Sequence, residues 1–530
     1  MCLILPKQGA APSRFLSDTK REGDFHPPVK GSEKMIAPNT NIRILSDVPL
    51  NSLYKNTLYF DNLSNQLSYF IGKTKYNLEE QSYQRVNNGV CRIGIKNDDL
   101  YNCNYMMFQN SNFGNKWFFA FINSSEYISN TVSEIHFEID VIQSWFFDFT
   151  LQRCFIEREH SITDEIGDNI VGEEINVGNI VANDLISTDF FDSYLALIST
   201  SYDPDGDAGG YQGGLFSGLS YVAAPINTPE GVAKLKDFLK TATEANKADS
   251  IVSIVVIPSD FYTTAETPSV QVQTIDKPTD LNGYTPKNNK LFTYPYCYLA
   301  CDCGNNAAIY RYELFDSDNC QFSLNGCVTT NPQIQLVPVN YNGAEFNYIE
   351  KLIMEGFPQI GYSIDSYRAW VAQNSTSTAI SATTAALGVT ASLATGNPIA
   401  AAMSISAAAN VVNQVAVAET RPPQARGSNG GTIEVATRTK NFWFRHMSVT
   451  AQYAKIIDDY FTVYGYAQNI VKIPNINARP EWNYTKTRDC IITGSIPGED
   501  SRKICEIFNA GITFWKNPDN IGQYQLTNKN

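Results

Sequence analysis

The sequence predicts a mainly β fold with some α-helix, an α+β architecture. The composition is the first reason, because 29 of the 530 residues are Tyr, 29 are Phe and only 18 % are charged. Such a composition favours strands and loops over helical bundles. Apolar and polar residues also alternate in several blocks, as they do in half-buried strands. Turn signals rich in Gly and Asn separate these blocks, which completes the pattern of a β-rich chain.

The first strands are predicted from Asn41 onward, in the blocks NIRILSDVPL and LYKNTLYFDNLSNQLSYF. A hairpin follows in YMMFQNSNFGNKWFFAFINSSEY, where two apolar runs flank the turn signal Asn112-Phe113-Gly114-Asn115. The residues before Met35 are polar and contain Pro, Gly and Lys, and we expect residues 1–34 to form a flexible N-terminal extension. The opening MCLILPKQGAAPS has too short an apolar run for a secretory signal.

A further strand is predicted by strict alternation after the hairpin. Its buried face would carry Ile135, Phe137, Ile139 and Val141, and its other face would carry His136, Glu138 and Asp140. Two carboxylates at this spacing also suggest a catalytic pair. On alternate positions of a strand they more simply form a solvated face, and we expect Glu138 and Asp140 to do so.

The middle of the chain, residues 166–345, is predicted to be a looser β/α domain. Its clearest element is an amphipathic helix over Thr228–Ala248, with Thr228 as the N-cap and Glu230 in the first turn. The turn Asp203–Asp207 resembles half of a calcium loop but lacks the closing Glu, so a surface turn is expected and calcium binding stays an alternative. No nucleophile elbow, P-loop, HExxH or dinucleotide fingerprint occurs in this region.

The cysteines predict free thiols rather than a metal centre or disulfides. There are 11, an odd number, and the only cluster is Cys297, Cys301 and Cys303. A metal site at this cluster is the alternative, but it would need more soft ligands or histidines, and the whole chain has four His. We therefore expect no metal and no other cofactor. The scattered pattern is typical of folding in a reducing cytoplasm.

An uncharged segment from Ala369 to Ala418 contains no Asp, Glu, Lys or Arg. The turn signal Thr395-Gly396-Asn397-Pro398 divides it into two apolar arms. As a helix, the second arm of about 20 residues would be roughly 30 Å long, the thickness of a bilayer core. Its many Ser, Thr and Asn residues make it a poor permanent anchor. This pattern indicates a segment that is stored in a soluble assembly and enters a membrane later.

The residues predicted to insert into the membrane are the larger apolar side chains of the two arms and the proline of the turn. They are Ile380, Leu387, Val389, Leu393, Pro398, Ile399, Met403, Ile405, Val411, Val412 and Val415. Two alternatives remain, a pair of ordinary core helices and a disordered linker. Core helices would show a cleaner apolar stripe, and a linker would carry fewer Val, Ile and Leu.

The C-terminal part is predicted to return to the β-rich fold. The block NFWFRHMSVTAQY predicts a strand, and AKIIDDYFTVYGYAQ predicts a helix. After them, DCIITGSIP predicts a strand and SRKICEIFNAG a short helix closed by Gly511. The formal net charge of −14 argues against a conventional nucleic-acid binder, which would carry a basic face. It is compatible with a surface past which DNA slides without binding.

Several long blocks resemble the tail knob proteins of short-tailed, phi29-like phages of Gram-positive bacteria. The matching blocks keep the family's order along the chain. They are TNIRILSDVPLNSLYKNTLYF, YMMFQNSNFGNKWFFAFI, HFEIDVIQSWFFDF with FIEREH, YPYCYL, and NYTKTRDCIITGSI with EIFNAGITFWKNPDNIGQY. The resemblance implies a homohexameric, β-rich tube at the distal end of the virion tail, made in the host cytoplasm. It also implies that a hydrophobic loop of each subunit plugs the lumen and later forms a membrane channel for genome ejection.

The expected partners are further copies of the chain, the upstream tail or lower collar protein, the host cell membrane and transiting genomic DNA that is not bound specifically. The expected domains are a flexible extension (1–34), an N-terminal tube domain (35–165), a middle domain (166–345), the membrane-active loop (346–430) and a C-terminal part of the tube domain (431–530). A receptor- or glycan-binding tail tip protein is the alternative, since Tyr and Trp can stack on sugars. A cell-wall hydrolase is the third reading, and it would need a carboxylate pair or a zinc site.

Overall fold

The computed structural model describes residues 39–81, 89–111, 114–202, 219–226, 228–262, 270–327, 331–342, 351–360, 435 and 440–529. The chain divides into two compact units. Unit 1 comprises Met1–Asp47 and Phe70–Ile139, and unit 2 comprises Val48–Tyr69 and Asp140–Asn530. The five-part division expected from the sequence stays a prediction.

Strands dominate both units, and the predicted mainly β, α+β class is confirmed. The strands up to residue 200 are β1 Thr40–Ser46, β2 Asn56–Leu58, β3 Thr74–Gln81, β4 Val90–Ile93, β5 Cys103–Asn110, β6 Trp117–Ser129, β7 Val132–Ile139, β8 Phe149–Leu151, β9 Cys154–Glu159, β10 Ile180–Ala182, β11 Ile186–Ser187 and β12 Tyr194–Thr200. The later strands are β13 Ser220–Pro225, β14 Ile251–Pro258, β15 Val270–Asp276, β16 Cys297–Asp302, β17 Ala307–Tyr310, β18 Asn319–Cys327, β19 Gln333–Val339, β20 Leu352–Met354, β21 Gln359–Ile360, β22 Trp443–Val449, β23 Tyr466–Lys472, β24 Trp482–Arg488, β25 Ile492–Gly494 and β26 Ile512–Trp515. The helices in the described part of the chain are α1 Leu63–Gly72, α2 Val141–Trp145, α3 Pro229–Glu244, α4 Ala451–Tyr464 and α5 Gly498–Ala510.

Unit 1 is built on a six-stranded antiparallel sheet in the order β3-β1-β5-β6-β7-β4. Alternate side chains of neighbouring strands form its core, because successive residues of a strand point to opposite faces. Ile42 and Ile44 of β1 meet Met106 and Phe108 of β5 in this core. The predicted first strand is confirmed, and so is the antiparallel pairing of the predicted hairpin, which joins Tyr105–Gln109 of β5 to Trp117–Phe121 of β6. Asn112 and Phe113 of the predicted turn lie outside the described residues.

The expected solvated face at Glu138 and Asp140 is wrong for Asp140. Strand β7 ends at Ile139, and Asp140 is buried as the N-cap of α2. One carboxylate oxygen of Asp140 accepts a hydrogen bond from the backbone N of Gln143 at 3.0 Å. Val141 therefore belongs to a helix rather than to the strand. A capping aspartate satisfies an otherwise unpaired helical N–H, which is its physical role here.

Unit 2 contains the remaining sheets. A five-stranded sheet has the order β2-β26-β24-β9-β23, and a second has the order β10-β22-β16-β17, with β11 also pairing with β22. Two four-stranded sheets have the orders β13-β12-β14-β21 and β15-β18-β19-β20, and β25 pairs with β8. A single large core joins residues of several of these sheets, including Leu299 of β16, Phe322 of β18 and Phe444 of β22.

The helices predicted for unit 2 are confirmed, but α4 and α5 each begin three residues earlier than predicted, and α3 is shorter than predicted. Helix α3 begins where the cap predicts, because the Thr228 hydroxyl accepts a hydrogen bond from the backbone N of Gly231 at 3.1 Å. Helix α4 ends at Tyr464, and the residues Tyr466–Lys472 form a strand instead. The helix stops there because Gly465 has a φ of +65° and approaches β9 so closely that a Cβ would lie 2.3 Å from the carbonyl O of Glu159.

Candidate functional site at the base of the uncharged segment

The residues predicted to insert into a membrane all lie between 361 and 434, outside the described residues. What the structure describes is the protein on either side of them. We call residues 351–360, 435 and 440–444 the segment base. All of it belongs to unit 2.

The chain leaves the described structure from two paired strands. Strand β20 pairs with β19, and Leu352 and Met354 of β20 are buried in the large core. Strand β21 then pairs with β14, where Ile360 lies opposite Ile254. The backbone N of Val256 also donates to the carbonyl O of Pro358 at 2.9 Å. The outgoing side of the segment base is therefore held by both of the four-stranded sheets.

The chain returns at Lys440, a buried cation. Its Nζ donates to the carbonyl O of Glu355 at 2.8 Å and to that of Gly356 at 3.3 Å. The same ammonium lies 4.9 Å from the ring centroid of Phe357. A buried charge is costly unless it is hydrogen-bonded, and a ring face adds attraction. Lys440 thus fastens the returning chain to the outgoing turn.

Gly356 shapes that turn. Its φ of +77° lies in the left-handed region, which glycine adopts without a steric penalty. Lys440 binds the carbonyls of this residue and of its neighbour Glu355. Asn305 adds a weaker contact, with its Nδ2 3.4 Å from the same Glu355 carbonyl.

Asn441 and Phe442 continue the attachment into the core. The side chain of Asn441 accepts from the backbone N of Thr188 at 3.2 Å and donates to the carbonyl O of Thr188 at 2.9 Å. The Thr188 hydroxyl also donates to the Asn441 carbonyl oxygen. Phe442 is fully buried, with its ring centroid 6.1 Å from that of Phe191. Strand β22 begins immediately afterwards, so the chain that returns from the uncharged segment is packed into the core, as is the outgoing chain.

Val435 lies inside the second core of unit 2. It is 1 % exposed and belongs to the cluster that contains Ile198 of β12, Ile254 of β14 and Leu235 of α3. Strand β21 of the outgoing chain is part of the same sheet as β12 and β14. Both flanks of the uncharged segment are therefore attached to one sheet.

Within the described part of the chain, Tyr312, His446 and Asp184 form a row of neighbouring titratable groups. The Tyr312 hydroxyl contacts His446 Nδ1, and His446 Nε2 lies 3.6 Å from an Asp184 carboxylate oxygen. Tyr312 is fully buried, and burial raises its pKa well above the usual value. Burial also lowers the pKa of His446. Tyr312 would have to act as the nucleophile of a catalytic arrangement, but its side chain is enclosed in the core. We therefore interpret these contacts as part of the packing of unit 2.

The cysteine cluster also has a structural place. Cys297 and Cys301 point into the core from alternate positions of β16, and Cys303 is buried just after that strand. Burial raises the pKa of the Cys297 and Cys301 thiols. The cysteine side chains that the structure describes are all free thiols. Among the described helices, none combines the length and the apolar character needed to cross a bilayer.

The fold and the family models define the class of protein. Residues 261–529, about half of the chain, match the family described as the C-terminal domain of the tail knob protein gp9 of Bacillus phage phi29. Residues 38–150 match the N-terminus of the caudoviral major tail protein. The chain therefore belongs to the phage tail knob protein family. It is a structural component of the virion tail, and the predicted location at the distal end of the tail is confirmed.

Particular relatives agree over nearly the whole length. The tail knob protein gp9 of Bacillus phage B103 is 27 % identical, with 92 % of this chain and 98 % of the relative covered. The corresponding protein of Bacillus phage phi29 is 26 % identical over the same shares. The tail knob protein gp12 of bacteriophage C1 has a similar fold, with a TM-score of 0.62, 15 % identity and coverage of 91 % of this chain and 98 % of that one. The resemblance stated from the sequence is thereby confirmed.

Proposed function

We propose that this chain forms a homohexameric tube at the tail tip through which the genome leaves, and that its uncharged segments first plug the lumen. On contact with the host, the segments leave the tube and insert into the cytoplasmic membrane as a channel for DNA. The role is structural rather than enzymatic. The proposed partners are other copies of the chain, the upstream tail protein, the host membrane and DNA that passes without specific binding.

The observation that carries this proposal is the anchoring of both flanks of the uncharged segment. A segment with no Asp, Glu, Lys or Arg from Ala369 to Ala418 leaves and returns at one base. Lys440 and β21 fasten the two sides of that base to rigid strands. Such an arrangement allows the segment to change its environment while the rest of the subunit keeps its fold. An ordinary linker would not need a buried lysine such as Lys440 to join its two flanks.

The hexamer is supported by the exposed strand edges of the subunit. Strand β15 lies at the edge of its sheet, and its residues Val270 and Val272 are 53 % and 59 % exposed. Exposed apolar edge strands favour association with another chain. Mass photometry of the purified protein should therefore give hexamers, and a purely monomeric protein at micromolar concentration would contradict the tube.

The acidic charge supports passage of DNA without binding. A basic wall would retain DNA by counterion release, whereas the net charge of this chain is −14. We expect the protein to show no measurable retention of double-stranded DNA on a filter at physiological salt. Tight binding that weakens steeply with salt would contradict a passive conduit.

The membrane step is tested with charges placed in the second arm. A charged residue at the centre of an inserted helix costs about 2.5–3.5 kcal/mol. The double variant Ala402→Asp, Ile405→Asp should therefore form normal hexamers but lose dye release from liposomes. The matched control is Ser428→Asp, Asn429→Asp, which adds the same charges outside the uncharged segment. Equal dye release from the two double variants would contradict insertion of the second arm.

A further inference from the structure

The hairpin of β6 and β7 in unit 1 carries a cluster of possible metal ligands. Glu126 of β6 lies directly opposite Glu134 of β7, and His136 lies two residues further along β7. Because alternate residues of a strand share a face, Glu134 and His136 point to the same side of the sheet. One ligand atom from each of the three residues lies within 4.8 Å of the others.

The histidine of this cluster faces both carboxylates. His136 Nε2 lies 3.3 Å from an oxygen of Glu126 and 3.9 Å from the Oε1 of Glu134. This nitrogen is shielded from solvent, and within the described part of the chain it makes no hydrogen bond. A ring nitrogen held between two carboxylates without a hydrogen bond is suited to donating its lone pair to a cation.

The charges of the cluster also favour binding of a cation. Like charges directly opposite each other on neighbouring strands destabilise the pair. Arg92 of β4 offsets part of this repulsion, because its Nε donates to the Oε2 of Glu134 at 2.7 Å. The Oε1 of Glu134 is the oxygen that faces His136. A divalent cation would offset the charges of the two carboxylates, and Arg92 would then orient the Glu134 ligand from outside.

The distances fit a tetrahedral ion. Zinc–nitrogen and zinc–oxygen bonds of 2.0–2.2 Å place neighbouring ligand atoms about 3.4 Å apart in a tetrahedron. The separation of 3.3 Å between His136 and Glu126 already matches this value. The third ligand atom, Oε1 of Glu134, lies 3.9 Å from His136 Nε2, so it would have to approach by about 0.5 Å when an ion binds. The fourth position faces solvent, because the Glu126 side chain is 64 % exposed.

We infer that Glu126, Glu134 and His136 form a surface binding site for a divalent transition metal, with zinc as the best-suited ion. Imidazole is a preferred ligand of zinc, whereas calcium and magnesium prefer six or more oxygen ligands. The ion would tie β6 to β7 in the outer half of the hairpin, beyond Phe121, the residue of β6 at which its pairing with β5 ends. The site is independent of the proposed membrane role.

The test is zinc binding by the full-length protein after treatment with a chelator. Zinc is titrated at pH 7 against a chromophoric indicator, and the number of bound ions per chain is compared among variants. The variant His136→Gln should bind one zinc ion fewer per chain. Glu126→Gln should lower the zinc affinity of the site by at least about tenfold, since loss of a residue that only orients a ligand already costs about 10- to 100-fold in metal affinity. The control Glu79→Gln removes a carboxylate from β3 of the same sheet and should keep the site.

Two results would overturn the site. One is an equal number of zinc ions, bound with equal affinity, in the parent and in His136→Gln. The other is displacement of the zinc by calcium at similar concentration, which would indicate an unspecific acidic surface. Circular dichroism of each variant shows whether the fold is kept. Zinc that binds elsewhere on the chain contributes equally to the parent and to the variants and cancels in the comparison.

Discussion

Replacing Lys440 by Met should loosen the segment base without unfolding unit 2. The change keeps an unbranched apolar side chain as far as the ε position but removes the ammonium that donates to the carbonyls of Glu355 and Gly356. Hydrogen bonds from a charged group contribute about 1.5–3 kcal/mol each, and the ring of Phe357 adds about 0.5–2 kcal/mol. The variant no longer has to desolvate a charge, and Asn305 still contacts the Glu355 carbonyl. We therefore expect a net loss of about 2 kcal/mol at the base.

Hydrogen exchange of the Val256 amide measures this loss. That amide donates to the carbonyl O of Pro358, so it exchanges when the outgoing chain separates from β14. A local loss of about 2 kcal/mol corresponds to roughly 30-fold faster exchange. The control is Lys240→Met, because Lys240 is an exposed lysine of α3. Its ion pair with Glu244 at 3.8 Å is worth about 0.3–0.5 kcal/mol.

Amides of β12 serve as the internal reference, because this strand belongs to the same sheet while the Lys440 ammonium donates to Glu355 and Gly356. They should exchange at the parental rate in both variants. If Val256 exchanges within threefold of the parental rate in Lys440→Met, then the ammonium does not hold the segment base together.

Two further predictions concern the stability of unit 2. Gly511→Ala should lower the urea midpoint of unfolding more than Gly283→Ala. Both glycines have a positive φ, which alone costs an alanine about 1–3 kcal/mol, but of the two only Gly511 would bring a Cβ into collision, 2.2 Å from the Tyr484 hydroxyl. Equal midpoints for the two variants would refute the close approach. Unit 2 should also lose stability in acid through His160, since burial lowers the pKa of its imidazole to about 3 while the unfolded value is about 6.5. The unfolded state then binds the additional proton, so this contribution is complete above pH 6.5 and declines as the pH falls toward 3, by about 5 kcal/mol in total. His160→Gln should flatten the dependence of the unfolding free energy on pH in that range, and an unchanged slope would show that His160 is not the group responsible.

The elements that the sequence predicted are those fixed by local chemistry. The first strand and the hairpin follow from alternation and a turn, and α3 starts where a threonine can cap it. Asp140 was misjudged because a strand and a capped helix look alike at their junction: a single residue decides whether the alternation continues. The end of α4 was placed too late because Gly465 stops the helix through a contact with Glu159, which is distant in sequence.

The candidate sites were harder to predict because their contacts are non-local. The uncharged segment could be predicted from composition. Its base depends on hydrogen bonds from Lys440 to backbone carbonyls 84 and 85 residues earlier, and every residue has a carbonyl, so no sequence pattern predicts these contacts. The cluster of Glu126, Glu134 and His136 depends on strand register. Only the spacing of Glu126 and Glu134 about the hairpin turn could have signalled it, whereas Glu138 and Asp140 drew attention as the carboxylate pair.

Dye release from liposomes by a protein that lacks Ala379–Ala418 shows whether the uncharged segment acts on the membrane. This deletion removes most of both uncharged arms and leaves Lys440 and β21 in place. We predict that the deleted protein still forms hexamers, as checked by mass photometry, but no longer releases dye under conditions in which the parent does. If hexamers of the deleted protein release dye as fast as the parent, then another part of the chain acts on the membrane, and the proposed role of the uncharged segment is contradicted.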